Sequence, residues 1–433
     1  MILQRLWRLS SAPCVLFRGL LFVCLGTMAL QSALASAPEQ NQPLPEAFAM
    51  FRQALDAAEA EVRKSPAYGS EAERAAGYQH IMRMMLKSIE EGMLQDARYP
   101  FFRVMDMHIR EGGDNPDQRY LFAPVEGGAA YRIHGELGAA SRIEVQLYAG
   151  EPWAGTGRSA GYLGFEALSV DAEGRFEVDL LPAGAKPRPG ALLNPDDTTT
   201  VVVRQIYADW TQQSPGHVHI DRKGMEGDLR APDTEAEVAA RLLETARLLA
   251  QSVTVWPAFV EQRYRQVREA NVLSPPLDTS QLGGVKGRWM VSGHFEIPAG
   301  QALLVRTTPT AARYQAVQIT DLWFASLEYA NGTGSYTRSQ STLASDGAYY
   351  YVISAQDPGY ANWLSTGGLE RGTILLRYDG MTAALAAEDW PQATLVTAEE
   401  IPNKIPGFVT FSEEERAEQI RARRAHIQRR FSR

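Results

Sequence analysis

Two blocks of the chain alternate apolar and polar residues with a period of two, and no helical pattern interrupts either block. The alternating apolar residues of the first block include Tyr131, Ile133, Ile143, Val145, Leu147, Phe176, Val178 and Leu180. The second block is densest from Asp346 to Arg377, where an Asp-Gly turn, an apolar strand, a Pro-Gly turn and another strand follow one another. Such alternation is typical of strands that have one face in a core. Without β-α-β alternation, each block is expected to form an antiparallel sandwich or jelly roll.

The two blocks also share features in the same order, which indicates a duplicated module. We match Tyr131 to Gly135 with Trp289 to Gly293, Ala172 to Val178 with Ser345 to Tyr351, and Asn194-Pro-Asp followed by Val201 to Arg204 with Asn362-Trp-Leu followed by Ile374 to Arg377. Val201 to Tyr207 is apolar on both faces apart from two residues, so it is expected at the centre of a sheet.

Helical patterns flank the two blocks. The apolar residues Phe48, Phe51, Leu55, Ala58 and Val62 share one stripe, as do Tyr78, Ile81, Met85, Ile89 and Met93. A capping box of Thr234 and Glu237 opens a long helix that Pro257 is expected to kink. Another capping box, Ser412 and Glu415, opens a last helix with Ala417, Ile420, Arg424, Ile427 and Phe431 on one stripe.

The expected fold class is therefore α+β, with two related antiparallel β-sandwich or jelly-roll-like modules, an N-terminal helical region and a long connecting helix. With 433 residues and 45% hydrophobic content, the chain can build several cores. The predicted divisions are a signal peptide (1–35), a helical region (36–113), a first β module (114–230), a kinked helix and linker (231–287), a second β module (288–385) and a C-terminal extension with a basic helix (386–433).

The first residues read as an export signal. Three arginines without an acidic residue precede the apolar run Leu20 to Leu30, and Ala33-Leu34-Ala35 fits a cleavage site. That run is too short for the roughly 20 residues of a membrane span. We therefore expect a periplasmic or secreted protein, cleaved near Ala35, whose mature chain has no integral membrane segment. Both cysteines, Cys14 and Cys24, would be removed, so the mature protein would fold without disulfides.

Several motifs resemble bacterial proteins that carry the domain of unknown function 1214. The matching residues are Asp114 to Asp117 with Tyr120, Tyr131-Arg-Ile, Arg204 with Asp209-Trp210, Asp321 to Phe324, and Asp357-Pro-Gly with Asn362 to Leu364. They extend from about Asp114 to Gly380, and the last motif is the most specific. The resemblance implies a predominantly β C-terminal domain and no agreed activity.

The second block offers a candidate ligand site. Aromatic faces beside Asp and Asn side chains suit a small organic molecule or a glycan, because the rings supply contact area and the polar groups supply orientation. The candidate ligand-binding residues are Asp321, Trp323, Tyr329, Asp357, Asn362, Trp363 and Arg377. One alternative is a hydrolase or lyase that uses Asp321 and Asp357 as acid and base. Another is a structural or protein-interaction module, in which Trp363 fills the core and Asp357 and Asn362 cap turns.

Other chemistries have weaker support in the sequence. His217 and His219 are spaced to share a strand face, but Val218 and Ile220 would take the core side and no third ligand is indicated, so a solvated strand face is favoured over a metal. Serine catalysis has little support, because none of the seven histidines has a recognisable triad setting. No cofactor and no metal are expected, and whether the chain is an enzyme stays open.

Charge leaves one further partner to consider. The formal net charge of −8 argues against nucleic acid. The C-terminal helix carries Arg421, Arg423, Arg424, Arg429, Arg430 and Arg433, which could contact acidic lipid or an acidic partner. A solvated helix is the alternative, because glutamates in its first turns and arginines in its last turns complement the helix dipole.

Overall fold

The computed structural model describes residues 43–150, 157–211, 215–282 and 287–431. The predicted signal peptide and its cleavage site lie outside the described residues, as does Arg433. In the part of the chain that the structure describes, no helix is both long enough and apolar enough to cross a membrane.

The described residues form five α-helices. They are α1 (Leu44–Lys64), α2 (Glu71–Ser88), α3 (Glu235–Val260), α4 (Ile401–Lys404) and α5 (Glu413–Arg430). The predicted capping boxes at Thr234 and Ser412 are confirmed, since each side-chain hydroxyl accepts a hydrogen bond from the backbone N–H three residues later. Helix α3 continues through Pro257 and changes into a π-helical turn at Glu261–Arg265.

Eighteen strands form the β structure of the described residues. They are β1 (Arg103–Met105), β2 (Gln118–Pro124), β3 (Tyr131–Glu136), β4 (Arg142–Ala149), β5 (Arg158–Leu163), β6 (Arg175–Pro182), β7 (Ala191–Asn194), β8 (Thr198–Ile206), β9 (Val218–Arg222), β10 (Leu277–Asp278), β11 (Arg288–Glu296), β12 (Gln301–Thr307), β13 (Tyr314–Thr320), β14 (Ser335–Thr337), β15 (Tyr349–Ser354), β16 (Trp363–Ser365), β17 (Arg371–Asp379) and β18 (Gln392–Thr397).

The sheets repeat one topology. Strands β1–β9, called the first module below, form sheets of order β1-β2-β8-β4-β5 and β7-β6-β3-β9. Strands β10–β18, the second module, form sheets of order β10-β11-β17-β13-β14 and β16-β15-β12-β18. Adding nine to each strand number of the first module gives the order of the second. Apart from the parallel pairs β6–β7 and β15–β16, neighbouring strands are antiparallel. The predicted α+β class with two related β modules is confirmed, and β8 is central in its sheet as expected.

The structure corrects one of the three predicted repeat matches. Tyr131 to Gly135 lies in β3, whereas Trp289 to Gly293 lies in β11, whose equivalent is β2. Both segments place an aromatic and an aliphatic residue two apart, and such alternation does not distinguish neighbouring strands. The other two matches fall on equivalent strands, β6 with β15 and β8 with β17.

Three short or edge strands lie outside the predicted module bounds of 114–230 and 288–385. They are β1, β10 and β18, which pair with β2, β11 and β12. Strands β1 and β10 have too few residues to show alternation, and β18 leaves most of its side chains exposed. Pairing with the longer strands therefore defines them better than their own sequence pattern does.

Each module has a core between its two sheets, and the helices add a third. In that third core, α1, α2 and α3 pack on the outer face of the second module's five-stranded sheet and on the turn Leu322–Phe324 after β13. Trp323 and Leu375 both belong to this core. The N-terminal helices thus pack on the second module, although most of the chain separates the two in sequence.

The burial of the terminal helix differs from prediction. The side chains that α5 buries are Arg416, Arg423, His426, Ile427 and Arg430. Of the predicted stripe, Ile427 is buried and Phe431 packs partly buried against the same cluster, whereas Ala417 and Arg424 are exposed. The three buried arginines are seven residues apart and stack on aromatic rings, for example Arg423 and Arg430 on Trp210 at 4.6 and 4.7 Å. A guanidinium is planar and weakly hydrated, so it can pack where a hydropathy pattern expects an apolar residue. Arg423 and Arg430 are therefore neither solvated nor presented to an external acidic partner.

A buried ion cluster joins the two modules. Arg288 of β11 donates to Glu144 of β4 at 3.0 Å and to Asp379 of β17 at 2.8 Å, and Arg142 of β4 also pairs with Asp379. Burial alone would raise the pKa of Asp379, but Arg288 and Arg142 outweigh it and hold the pKa below its ordinary value. The two arginines thus compensate two carboxylates contributed by different modules.

Replacing Arg288 is expected to destabilise the protein strongly. The change Arg288→Met leaves two buried carboxylates with Arg142 alone, which should lower the free energy of unfolding by about 3–5 kcal/mol. Urea unfolding followed by circular dichroism measures the change. In the control Arg132→Met, which loses only the exposed pair with Glu177, the loss should stay below about 1 kcal/mol. Similar losses in both variants would show that the cluster does not join the modules.

The same cluster predicts a dependence of stability on pH. Because the pKa of Asp379 is lower in the folded than in the unfolded state, its contribution is present above the unfolded pKa of about 3.9 and is lost as pH falls through the folded pKa. Wild-type protein should therefore lose more stability than Asp379→Asn over this acid range, as urea titrations at successive pH values would measure. Parallel curves for the two proteins would contradict this prediction.

Candidate functional site

The predicted site residues Asp321 and Trp323 lie in the turn after β13 and not on a strand face. The Oδ1 atom of Asp321 accepts a hydrogen bond from the backbone N–H of Ala325 at 2.9 Å. Burial raises the pKa of Asp321 to about 6, although that hydrogen bond and the charges of Arg83 and Arg110 oppose the shift. Trp323 is 1% exposed, and its Nε1 donates to the carbonyl of Glu73 at 3.1 Å. Asp321 thus stabilises the turn itself, and Trp323 joins the turn to α2.

Asp357, Asn362 and Trp363 serve the connection between β15 and β16. Asp357 accepts from Gly359 N at 2.9 Å and pairs with Arg416 of α5 at 2.8 Å. The side chain of Asn362 is fully buried, with its amide donating to the carbonyls of Thr342 and Tyr350 and its oxygen accepting from the Thr342 N–H.

The remaining aromatic candidates also have structural partners. The indole of Trp363 donates to Ser354 Oγ at 3.0 Å and lies 5.3 Å from the Arg416 guanidinium. Tyr329 is buried edge-on against Trp210 in a small cluster that includes Ile427 of α5. None of these six residues, Asp321, Trp323, Tyr329, Asp357, Asn362 and Trp363, lines either of the two cavities described next.

Arg377 does line a cavity, which has a volume of about 150 Å³ and lies between the modules. Its walls come from β1, β2, β8, β11, β17, helix α3 and the loop before β2. The lining residues are Met105, Glu111, Gly112, Gly113, Asp114, Gln118, Tyr120, Phe122, Arg204, Trp256, Arg288 and Arg377. We call this space the inter-module cavity.

The duplication places two arginines at equivalent positions of this cavity. In β8, Val201 and Val203 point into the first core, and in β17, Ile374 and Leu376 point into the second. The residue after each pair faces outward because strand side chains alternate. Arg204 and Arg377 therefore occupy matching outer positions, and both line the same space.

Neither arginine forms an ion pair with a carboxylate of the described ranges. Arg204, 7% exposed, donates to Gln146 Oε1 at 2.7 Å and to the Tyr148 hydroxyl at 2.9 Å. Arg377 donates to the Gly113 carbonyl at 2.6 Å and to the Gln318 side chain. Arg288, by contrast, is compensated by Glu144 and Asp379. Two cations that face one cavity without a direct ion pair favour an anion between them.

The loop Glu111–Asp114 forms a wall of opposite charge. Gly112 and Gly113 have φ angles of +67° and +64°, and a Cβ on them would come within 2.6 Å of Trp256 and 2.7 Å of Phe324. Glycine is therefore required at both positions by conformation and by space. The two carboxyl oxygens of Asp114 accept from the Ser326 N–H and hydroxyl, which fixes the end of the loop.

Two buried groups contact one oxygen of the Glu111 carboxylate. Its Oε2 accepts from the Trp256 indole at 3.0 Å and lies 3.3 Å from the Lys87 ammonium. Burial alone would lower the pKa of Lys87, but Glu111 and Glu91 outweigh it and the pKa is raised. Lys87 is therefore a buried cation shared by two carboxylates. It lies on the side of α2 opposite the predicted apolar stripe, whose first residue, Tyr78, is exposed.

A larger cavity of about 800 Å³ lies on the outer face of the sheet β7-β6-β3-β9. His217 and His219 are exposed there, as the solvated strand face predicts, and His219 stacks on His134 with ring centroids 5.4 Å apart. Among the residues with described positions, no group of three or more His, Cys, Asp or Glu side chains could hold a metal ion. The charged side chains that line this larger cavity are largely exposed, and Arg132 pairs with Glu177 there. No described residue of this surface carries an uncompensated buried charge, so the inter-module cavity is the stronger candidate.

The sequence prediction missed most of the inter-module cavity. Arg377 was a candidate, but Arg204, Glu111, Gln118 and Lys87 were not assigned to a site. Two signals could have found them: the equivalence of Arg204 and Arg377 in the repeat, and the Gly-Gly pair between Glu111 and Asp114. The outer faces of two sheets that are far apart in sequence come into contact here. Neither the repeat nor the Gly-Gly pair indicates that contact.

Comparison with known proteins supports the fold. No protein-family model matches the sequence, and no functionally curated protein matches it. An uncharacterized protein from Burkholderia cenocepacia is similar in structure, with 24% identity, a TM-score of 0.74, and coverage of 82% of this chain and 97% of its own. A protein from Vibrio parahaemolyticus aligns at 10% identity over 79% of this chain and 99% of its own, but with a TM-score of only 0.42. The first similarity shows the α+β fold, and the resemblance to the domain of unknown function 1214 stays a prediction.

Replacing Lys87 should show how strongly its buried ammonium stabilises the carboxylates of Glu111 and Glu91. In Lys87→Met, Glu111 and Glu91 lose a shared buried cation, and the free energy of unfolding should fall by about 3–5 kcal/mol. Chemical unfolding measures the loss. The matched control Lys64→Met removes an exposed pair with Glu61 and should cost less than about 1 kcal/mol. A Lys87→Met protein as stable as the control would contradict the assignment of Lys87 as a buried counter-ion.

Proposed function

We propose that this protein binds a small organic molecule bearing a carboxylate in the inter-module cavity. The observation that carries the proposal is the pair Arg204 and Arg377, which line one cavity from equivalent strands without a carboxylate ion-pair partner among the described residues. A carboxylate accepts two parallel hydrogen bonds from a guanidinium, and such charge-assisted bonds are stronger than neutral ones. A bound carboxylate would compensate both arginines.

The size of the cavity limits the ligand. Sites for drug-sized molecules occupy about 300–1,000 Å³, whereas this cavity has about 150 Å³. That volume favours a molecule of a few heavy atoms over a glycan. The proposal therefore moves the ligand from within the second module to the boundary between the modules.

The acid-base alternative has less support. Asp321 and Asp357, on which a hydrolase or lyase would depend, hold a turn and the terminal helix through their hydrogen bonds. Neither lines the inter-module cavity. We therefore propose a binding protein, and we place it in the periplasm or outside the cell on the strength of the export signal in 1–35.

Arg377 should be required for affinity. Isothermal titration of the full mature chain with propionate, succinate, L-alanine and L-aspartate is expected to show binding of at least one of them. Arg377→Met should weaken that binding about 10- to 100-fold, since hydrogen bonds to charged groups contribute about 1.5–3 kcal/mol. Arg204→Met should weaken it in the same direction.

The matched control is Arg306→Met, in which an arginine of β12 loses an exposed pair with Asp346. Its affinity should equal that of wild type, and the thermal midpoint of each variant shows whether it is folded. If no carboxylate binds, or if folded Arg377→Met and Arg204→Met bind as tightly as the control, the proposed function is wrong.

A further inference from the structure

Two acceptors at the inter-module cavity have no donor. The Oε1 atoms of Glu111 and Gln118 are buried and have no hydrogen-bond partner among the described residues. The two residues are 3% and 6% exposed, and both line the cavity. Leaving a buried acceptor unsatisfied costs about 1–3 kcal/mol. These atoms are therefore suited to a ligand that brings hydrogen-bond donors.

The charge of Glu111 indicates which donor fits best. Its Oε2 is occupied by Trp256 and Lys87, and Lys87 is shared with Glu91. Glu91 pairs with Arg103 as well. The free oxygen of Glu111 still belongs to a buried carboxylate, so a cation placed there would be attracted by its charge. An ammonium group offers a positive charge together with three donors, enough for Glu111 and Gln118 at once.

The cationic and acidic walls are close enough for one small ligand. Arg377 donates to the carbonyl of Gly113, and Glu111 is only two residues earlier in the loop. Two residues of chain place α-carbons at most about 7 Å apart. A ligand whose carboxylate reaches Arg377 can therefore present a neighbouring ammonium to Glu111.

We infer that the ligand is an amino-carboxylate, with its carboxylate on Arg204 and Arg377 and its ammonium on Glu111 and Gln118. The inference rests on the proposed function, because it assigns the second half of the same ligand. It distinguishes an amino acid from a simple organic acid or a hydroxy acid. A hydroxyl supplies one donor without charge, so it leaves the second acceptor and the charge of Glu111 unmatched.

Matched ligand pairs test the inference. Isothermal titration of the mature protein compares L-alanine with propionate, L-serine with 3-hydroxypropionate and L-aspartate with succinate; lactate tests a hydroxyl in place of the amine. In at least one pair the amino acid should bind about tenfold or more tightly than the acid without the amine. If this is the pair of L-alanine and propionate, L-alanine should also bind more tightly than lactate. In Glu111→Gln and in Gln118→Met the ratio of the two dissociation constants should fall toward one. The exposed control Gln392→Met should keep the wild-type ratio.

The outcomes separate the two proposals. If the des-amino acids bind as tightly as their partners and still require Arg377, the amino-carboxylate inference is wrong and the carboxylate site stands. If no member of any pair binds, both proposals are wrong. If Glu111→Gln is unfolded, Gln118→Met decides, because that change alters no charge; an unchanged preference in folded Gln118→Met overturns the inference.

Discussion

The structure depends on the packing of two outer sheet faces that a typical β sandwich would leave to solvent. Strands β4 and β8 of the first module meet β11, β13 and β17 of the second, where Ile206, Tyr314 and Ala316 form a small apolar contact. Beside it lies the buried cluster in which Arg288 connects Glu144 with Asp379. Buried charges tolerate little displacement, because each depends on the geometry of its partners. The cluster therefore fixes the relative position of the modules and, with it, the shape of the cavity.

Duplication explains why a site can arise at that boundary. Two copies of one topology that meet through equivalent sheets bring equivalent positions together, and Arg204 and Arg377 are such a pair. The copies then differ in what surrounds them. The outer face of the sheet β16-β15-β12-β18 is covered by Ile401, Ile405 and Phe408 from the C-terminal extension, whereas the corresponding face of the first module stays open and charged. The helices close the remaining side through Trp256 of α3 and the loop Glu111–Asp114.

The sequence was informative about elements and much less so about their assembly. The period of two identified the longer strands, and the capping boxes at Thr234 and Ser412 gave the starts of two helices. The predicted site failed to assemble because aromatic and amide residues near a turn serve turn and core chemistry equally well: Asn362 hydrogen-bonds to backbone, and Trp323 contacts α2. Buried charge was the other source of error. Lys87, Arg423 and Arg430 count as polar in any periodicity, yet carboxylates or aromatic rings far away in sequence make their burial favourable.

A carboxylate bound between the two equivalent arginines would be visible by crystallography. A crystal structure of the mature protein grown with L-aspartate, together with one grown with succinate, tests this binding most directly. We expect ligand density in the inter-module cavity, with carboxylate oxygens about 2.7–3.2 Å from the guanidinium nitrogens of both Arg204 and Arg377. Ligand found only on the outer face of the first module, or an inter-module cavity that stays free of carboxylate at saturating ligand, would contradict this expectation.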